Sequence, residues 1–303
     1  MTDMNGRKGA SLTAAYAAAF FAVVIWGTTF AAEKVAVEQA SAIFVVALRF
    51  ALSLPFIALI AACRGELRLP TRRQAWVLAL MGFIGLYLIF ILQTAAMKTA
   101  SSVISNWQMA AAPAMVAVMA WIFLKEKLSG GKIAGIVTAF VGVGIVLGLG
   151  TTGAVGFSSY SMGDFYVTAS TVIWAVFMIL TRLIFKDGGY TPIFTFFWES
   201  FFSVLFCVPT LLFLHTDVTV AADFTARTWT AMLVLVICCS CLAYTWWYYA
   251  TSRLPVAQVM LFQFFQPVVG ALTGYCLLGE RFTVWLLVGG VTILFGVWIV
   301  NRQ

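Results

Sequence analysis

Apolar runs of about 20 residues recur along this chain, and their length limits the folds that it can adopt. A helix of about 20 residues, rising about 1.5 Å per residue, crosses about 30 Å of hydrocarbon. The strands of a membrane barrel are shorter and alternate between apolar and polar positions. Hydrophobic residues make up 63% of the 303 positions and charged residues only 10%, unlike a soluble protein. The runs therefore predict an all-α membrane protein.

The runs predict ten transmembrane helices in two groups of five. The first group is Leu12–Ala32, Ser41–Cys63, Gln74–Ala95, Ser101–Leu124 and Gly131–Gly150. The second group is Gly163–Phe185, Thr191–Leu214, Trp229–Ala250, Pro255–Leu278 and Thr283–Val300. A polar linker rich in glycine and serine separates them. We accordingly predict a first unit over residues 11–150, a linker over 151–162 and a second unit over 163–301.

The second unit repeats the first. Five unlike residue types recur at a spacing of 154 positions: Ala96 and Ala250, Pro113 and Pro267, Glu126 and Glu280, Gly135 and Gly289, and Gly142 and Gly296. In the first helix of each unit the spacing is 148, from Trp26 to Trp174 and from Lys34 to Arg182. Coincidence in a chain rich in alanine and glycine is the alternative, but one register through five residue types indicates a duplicated structural unit.

The loops that alternate along the chain differ in basic residues. One side collects thirteen, namely Arg7, Lys8, Arg64, Arg68, Arg72, Arg73, Lys125, Lys127, Lys132, Arg182, Lys186, Arg253 and Arg302; the other collects Lys34, Lys98, Arg227 and Arg281. The richer side is expected to be cytoplasmic, together with both termini. The net charge of +7 then reflects membrane topology and predicts no nucleic-acid partner. Because each unit has five spans, the second must have inverted topology, as is typical of secondary transporters around a central cavity.

Several short motifs are informative together, namely Trp26-Gly27-Thr28, Leu48-Arg49-Phe50, Pro113, Leu124-Lys125-Glu126-Lys127-Leu128-Ser129, Pro267 and Leu278-Gly279-Glu280-Arg281-Phe282-Thr283. They resemble the motifs of the EamA-type carriers of the drug/metabolite transporter superfamily. The resemblance covers nearly the whole chain. It implies a ten-helix carrier of the bacterial cytoplasmic membrane that exports a small molecule by alternating access. The aromatic density is similar to that of the aromatic amino-acid exporters, whereas other members carry other metabolites or drugs.

Two charged residues lie deep within predicted spans, Arg49 and Glu199. An ionisable side chain in the bilayer is costly and normally faces the bundle interior, water or a partner. We expect Glu199 to couple transport to protons or to bind the substrate ammonium. Arg49 and Glu199 are also candidates for an ion pair across an axial offset of about 10 Å. A static role in holding the helices together is the alternative for both.

Aromatic and amide side chains form the predicted substrate cavity. The candidates are Trp26, Tyr87, Asn106, Trp107, Trp174, Tyr244, Phe262 and Gln263. Rings with a polar edge suit a cavity that admits apolar side chains, and amides in a membrane either bond across helices or line a wet cavity. Core packing remains open for each of them. Pro113 and Pro267 are expected to kink helices 4 and 9, either beside the cavity or simply to shape the bundle.

The repeated acidic residues Glu126 and Glu280 lie at helix junctions. Since acidic groups are favoured near helix N-termini, we expect them to cap helices 5 and 10. Gly131 and Gly135, then Gly144 and Gly148, have the spacing that lets helix 5 approach a neighbour, in a scaffold or in a homodimer.

The remaining chemistry gives no sign of catalysis. The six cysteines and His215 have no metal-ligand spacing, and the spans lack a nucleophile with a base. No phosphate-binding loop is present. We therefore predict a transporter without cofactor or metal, whose partners are a small-molecule substrate and the lipid bilayer, as a monomer or homodimer. A channel is the alternative and would need rings of carbonyls or like charges.

Overall fold

The computed structural model describes residues 2–125, 129–149, 161–186, 188–281 and 283–302. These residues form helices and no strand, in ten spans, which confirms the all-α membrane class. Within the described ranges, nine helices have the length and hydropathy to cross a membrane, and the tenth contains a shorter apolar stretch, Val284–Val300. Most of the predicted linker and Glu126 lie outside the described residues, as does Phe282.

The ten spans are named α1 to α10 here, and five of them consist of more than one segment. In the first unit, α1 is Thr2–Gly27 and Thr29–Ala36, α2 is Ala42–Cys63, α3 is Arg72–Met81, Gly82–Leu88 and Ile89–Ala96, α4 is Ser102–Met109 and Ala112–Leu124, and α5 is Gly130–Leu149. In the second, α6 is Met162–Lys186, α7 is Pro192–Phe213, α8 is Ala226–Leu233, Val234–Leu242 and Ala243–Arg253, α9 is Val256–Leu261, Phe262–Phe264 and Phe265–Leu278, and α10 is Val284–Arg302.

Hydroxyl side chains begin several spans. The Thr71 hydroxyl accepts the Gln74 N–H while the Gln74 amide accepts the Thr71 N–H, a capping box at the start of α3. At the start of α8, the Thr225 hydroxyl accepts the Thr228 N–H. Thr71 and Thr225 are 154 positions apart, so the repeat extends to the caps that fix where these helices begin.

The irregular segments also follow the repeat. Gly82–Leu88 in α3 and Val234–Leu242 in α8 are both π-helical. The α4 helix is interrupted between Met109 and Ala112, and α9 passes through a 3₁₀ turn at Phe262–Phe264. Such irregular backbone at membrane depth is tolerated where it is buried in protein or faces a cavity. These breaks therefore indicate where the centre of the bundle lies.

The two prolines of the predicted kinks lie just after the breaks in α4 and α9. Pro113 lies in the first turn of the second segment of α4, and Pro267 lies in the first turn of the last segment of α9. A proline in a first turn removes no helical hydrogen bond, because that N–H has no partner within the helix. Each proline therefore starts a segment just after a break.

The contact between α5 and α10 shows how the two units are related. A Cβ at Gly135 would lie 2.6 Å from the Gly296 carbonyl oxygen, and one at Gly142 would lie 2.7 Å from that of Gly289. The sequence repeat pairs Gly135 with Gly289 and Gly142 with Gly296. Each glycine thus meets the counterpart of the other, in antiparallel helices, as a two-fold relation between inverted units requires.

Other helix contacts have the same symmetry. The α2 helix packs on α7 and α4 packs on α9, which are counterparts in the two units. The α1 helix packs on α8 as α6 packs on α3. The central hydrophobic cluster contains Trp26, Phe90, Trp174 and Tyr244, and a second cluster fills the space between α4, α5, α9 and α10. The first cluster surrounds the candidate site.

Candidate functional site

A small cavity lies between the two units. Its walls are Trp26, Thr29 and Phe30 of α1, Ile89, Phe90 and Gln93 of α3, Met109 of α4, Trp174 of α6, Tyr244 of α8, and Gln263 and Gln266 of α9. The volume is about 30 Å³, counted as space open to the centres of water molecules. That is room for about two waters. In this state the cavity is too small for a metabolite.

The walls of the cavity repeat across the two units. Three pairs of lining residues have the repeat spacing: Trp26 and Trp174, Phe90 and Tyr244, and Met109 and Gln263. Two of these pairs are in contact, with ring centroids 5.7 Å apart for the tryptophans and 6.1 Å apart for Phe90 and Tyr244. The pseudo-two-fold axis therefore passes through the cavity, where a small movement of one unit changes both walls.

Aromatic rings pack against one another on one side of the cavity. The Trp26 ring lies 5.0 Å from Tyr244 and 5.0 Å from Trp247, and its indole N–H donates to the Cys239 carbonyl at 3.0 Å. Cys239 lies in the π-helical segment of α8, so the irregular backbone presents this acceptor. Tyr244 stacks on Phe196 of α7 at 5.0 Å. These contacts fix the orientation of Trp26.

Polar atoms on the wall are available to a ligand. Thr29 Oγ1, Trp174 Nε1 and Gln263 Oε1 are buried and have no hydrogen-bond partner within the described chain. Buried polar atoms are nearly always bonded in a folded protein, to protein or to water. A donor and an acceptor on a mainly aromatic surface are what an amphipathic molecule needs.

Four of the eight predicted cavity residues line it, namely Trp26, Trp174, Tyr244 and Gln263. Asn106 and Trp107 lie elsewhere, because their face of α4 is directed toward α9 and α10. Asn106 donates to the Ser102 carbonyl at 3.0 Å and packs on Gly270, while the Trp107 ring packs on Gly290. Both fill grooves that glycine leaves between helices.

Tyr87 and Phe262 do not line the cavity either. The Tyr87 hydroxyl lies 2.7 Å from the Thr210 hydroxyl, and its ring stacks on Phe83 at 5.3 Å, between α3 and α7. The Phe262 ring lies 6.2 Å from Tyr16 of α1. Conversely, Phe30, Phe90 and Met109 line the cavity although no polar or indole group marks them in the sequence.

Arg49 forms its ion pair with Glu33 instead of Glu199. Its Nη1 lies 3.0 Å from Glu33 Oε1, and its Nε donates to the Ser240 hydroxyl at 2.7 Å. The side chains of Arg49 and Glu33 are 1% and 0% exposed. Glu33 lies beyond the predicted end of helix 1, but the structure extends α1 to Ala36 and buries this carboxylate. The pairing proposed between Arg49 and Glu199 is thereby corrected.

Glu199 is fully buried in α7 and its carboxylate accepts a hydrogen bond from the Tyr248 hydroxyl of α8. Its Oε1 has no partner, and no cation forms an ion pair with it among the described residues. Thr195 and Ser203 lie one turn to either side, fully buried, and their hydroxyls also have no partner in the described chain. A polar stripe along α7 thus contains one isolated acid.

Glu280 closes one end of the bundle, which also carries Lys34 and Ser101. This end is called the outer end here because the distribution of basic residues predicts that it faces away from the cytoplasm. The Glu280 carboxylate accepts five hydrogen bonds, from Lys34 Nζ at 2.7 Å, Ser101 Oγ at 2.8 Å, Ser102 N and Oγ at 3.1 Å each, and Val103 N at 3.0 Å. Gly279, with φ 65°, ends α9 in the left-handed conformation and directs the chain toward α4. Glu280 therefore caps α4, not α10 as predicted, while Thr283 accepts the Leu286 N–H of α10.

These contacts keep the carboxylate charged. Burial raises the pKa of Glu280, but the hydrogen bonds from Lys34, Val103 and Ser101 and the charge of Lys34 outweigh it and leave the pKa below its ordinary value. Glu280 belongs to the second unit and α4 to the first. The cluster of Glu280, Lys34, Ser101, Ser102 and Val103, called the outer latch below, thus joins the units at the outer end.

Ten helical spans in two pseudo-symmetric groups surround a small central cavity, which is the architecture of membrane carriers with inverted repeats. The profile of the EamA-like transporter family matches residues 13–148 and 161–302, one match in each unit. The chain belongs to this family, within the drug/metabolite transporter superfamily.

Several similar proteins agree with this assignment. The uncharacterized transporter YyaM of Bacillus subtilis (strain 168) is 26% identical over 275 residues, covering 90% of this chain and 89% of its own length. A probable terminal-alkyne amino-acid exporter of Streptantibioticus cattleyicolor is 25% identical over 282 residues, covering 93% and 91%. A crystal structure with 20% identity and a TM-score of 0.68, covering 95% of this chain and 96% of that one, shares the fold. The protein is a transporter and not an enzyme.

Proposed function

We propose that this transporter exports small amphipathic metabolites, with neutral and aromatic amino acids as its main substrates, by alternating access across the bacterial cytoplasmic membrane. The observation that carries the proposal is the small aromatic cavity on the pseudo-two-fold axis, where the Trp174 donor and the Gln263 acceptor have no partner in the described part of the chain. The amino-acid exporter among the relatives supports the substrate class. Trp26, Trp174, Tyr244 and Gln263 are the proposed contacts.

The two ends of the bundle differ in the contacts between the units. The outer latch joins the units at the outer end. The opposite end carries more basic residues and is the proposed cytoplasmic side, where a depression of about 680 Å³ is lined by residues that include Arg64, Glu66 and Arg253; the outer end has depressions of about 360 and 560 Å³. We infer that substrate enters from the cytoplasmic side, that the units over residues 11–150 and 163–301 rock about the axis, and that opening of the latch releases it.

Counterflow tests the substrate class. Proteoliposomes preloaded with phenylalanine or leucine are expected to take up the same labelled amino acid transiently, because a carrier with an accessible central site exchanges across the membrane without net driving force. Trp174→Ala should lower this exchange, and Trp298→Ala, at an exposed position of α10, should leave it unchanged. If other metabolites exchange and no amino acid does, the proposed substrate class is rejected, but the protein is still a carrier.

Glu199 is the proposed proton-coupling group. An imposed gradient of one pH unit stores about 1.4 kcal/mol per proton, enough for about tenfold substrate accumulation with one proton per substrate. We expect Glu199→Gln to abolish this accumulation while counterflow continues, because the amide cannot exchange a proton. Tyr248→Phe removes the hydrogen bond but keeps the acid, so accumulation should persist with an altered pH dependence. Equal accumulation by wild type and Glu199→Gln would exclude Glu199 from coupling.

A further inference from the structure

The ion pair between Glu33 and Arg49 is only partly satisfied. One oxygen of Glu33 and one nitrogen of Arg49 bond to each other, but Glu33 Oε2 and Arg49 Nη2 are buried and have no partner in the described ranges. The Thr94 hydroxyl lies near the Glu33 carboxylate without a hydrogen bond of ordinary geometry. A buried ion pair that serves only to hold helices together is expected to have its remaining atoms bonded as well.

The pair lies directly behind the wall of the cavity. Arg49 Cζ lies 4.3 Å from the centroid of Phe90, which itself lines the cavity. Glu33 follows Thr29 and Phe30, two other lining residues, by one helical turn on the same segment of α1. The Phe90 ring therefore lies between the cavity and the Arg49 guanidinium.

The charges available in the interior restrict how a substrate carboxylate can be bound. Among the buried side chains that the structure describes, Arg49 is the one cation. A carboxylate taken from water into an aromatic cavity is unstable unless a positive group meets it, and an ammonium has the same need for a negative group. Glu33 supplies the negative group and Arg49 the positive one, with Glu33 Oε1 and Arg49 Nη1 3.0 Å apart beside the Phe90 ring.

Resting on the proposed function, we propose that Glu33 and Arg49 recognise the zwitterionic group of an α-amino acid, with the substrate ammonium on Glu33 and the substrate carboxylate on Arg49. The spare atoms make the first contacts, and the substrate then replaces the internal bond with two intermolecular ones. Net charge in the cavity is unchanged throughout. Ser240 holds Arg49 by its Nε edge, so that Nη2 is left for the ligand.

The test uses ligands that share one ring and differ in charge. Counterflow of labelled phenylalanine in proteoliposomes is measured against unlabelled phenylalanine, phenethylamine, which lacks the carboxylate, and 3-phenylpropionate, which lacks the ammonium. For the wild type, phenylalanine should compete at least ~10-fold better than either analogue, since each lost charge pair is worth about 1.4 kcal/mol or more. Equal competition by all three ligands would overturn the proposed recognition of the zwitterion. The proposed function would still stand as long as the wild type exchanges phenylalanine.

Two variants separate recognition from a structural role. Glu33→Gln with Arg49→Gln removes both charges together, so neither is left unpaired in the interior, and this variant should exchange phenylalanine with the preference for the zwitterion lost. Ser240→Ala keeps both charges and should raise the KM for phenylalanine about threefold or more, because Arg49 loses its anchor. If the double variant keeps the preference for the zwitterion, the ion pair has only a structural role. If the double variant does not fold, an unchanged KM for phenylalanine in Ser240→Ala leads to the same conclusion. Failure of wild type to exchange any amino acid rejects the proposed function together with this one.

Discussion

Glu280→Gln is expected to open the outer end of the transporter. The amide keeps the shape of the side chain but loses the charge, and its NH₂ group faces N–H donors in place of an acceptor oxygen. Hydrogen bonds to a charged group contribute about 1.5–3 kcal/mol, and the Glu280 side chain is only 12% exposed. We expect a loss of about 2–3 kcal/mol in closed-state preference, which is roughly a 30- to 150-fold shift toward the open state.

A buried reporter cysteine measures this opening. Ile104 lies beside the latch and is 4% exposed, so Ile104→Cys should react slowly with a membrane-impermeant thiol reagent and much faster in the Glu280→Gln background. The exposed native cysteines, Cys63 and Cys276, are first replaced. Glu38→Gln is the matched control, because Glu38 pairs with Arg227 at 3.6 Å on the exposed surface, where an ion pair contributes little. Equal labelling rates in Glu280→Gln and Glu38→Gln would contradict the latch.

The pKa of Glu280 gives the latch a defined pH dependence. A carboxylate whose pKa is lowered in the closed state stabilises that state at pH values above its ordinary pKa, and this stability is lost as the pH falls through the lowered value. Since the ordinary value is about 4.3, the latch is fully charged at neutral pH. Because the thiolate is the reactive form of cysteine, labelling itself becomes faster as the pH rises. The ratio of the Ile104→Cys labelling rates with Glu280 and with Glu280→Gln should therefore be independent of pH between about 6 and 8.

The spans were predictable because the bilayer fixes their length. Ser41 and Ser101 are visible in the sequence as the polar residues before apolar runs, and both hydroxyls accept helix N–H groups. The repeat spacing of 154 implies only that a π-helical or broken segment in one unit has a counterpart in the other. It does not place them, because Gly82–Leu88 and Val234–Leu242 are apolar throughout and carry no local signal for a wider helix.

The partner of Arg49 could not be found from hydropathy. The charges of Glu33 and Lys34 end the apolar run at Ala32, so the prediction placed Glu33 in a loop. Helix α1 continues to Ala36 because Glu33 finds Arg49 inside the bundle while Lys34 reaches Glu280 at the outer end. Neighbouring charged residues thus point in different directions on one helix, and only tertiary contacts determine which of them is buried.

The inward faces of the helices were the hardest feature to predict. Asn106 and Trp107 are as buried as Trp174, but α4 turns them toward α9 and α10. A membrane helix that is apolar on all sides has little periodic signal to fix its rotation. The informative residues were the glycines on the opposing helices, Gly270 and Gly290, whose missing side chains leave room for Asn106 and Trp107.

Gly142→Ala is expected to destabilise the protein strongly, although it adds a single methyl group. A Cβ at this position would lie 2.6 Å from the Ile293 nitrogen and 2.7 Å from the Gly289 carbonyl oxygen, both backbone atoms that cannot move alone. The methyl group must separate α5 from α10, and overpacking of this kind costs roughly 1–3 kcal/mol. The effect should appear as a lower Tm of the detergent-solubilised protein, measured by the loss of its monodisperse size-exclusion peak.

Gly144→Ala is the matched control, two residues along the same helix. Among the described residues nothing lies within 4 Å of a Cβ at Gly144 or at Gly148, so these two glycines make no close helix contact within the chain. Their role in a homodimer stays a prediction. Alanine at Gly144 should be neutral or slightly stabilising, since it disfavours the unfolded chain and raises helix propensity by up to about 1 kcal/mol. Gly142→Ala and Gly289→Ala should also be non-additive, because one separation of α5 from α10 accommodates both. Equal Tm values for Gly142→Ala and Gly144→Ala would mean that this contact does not hold the units together.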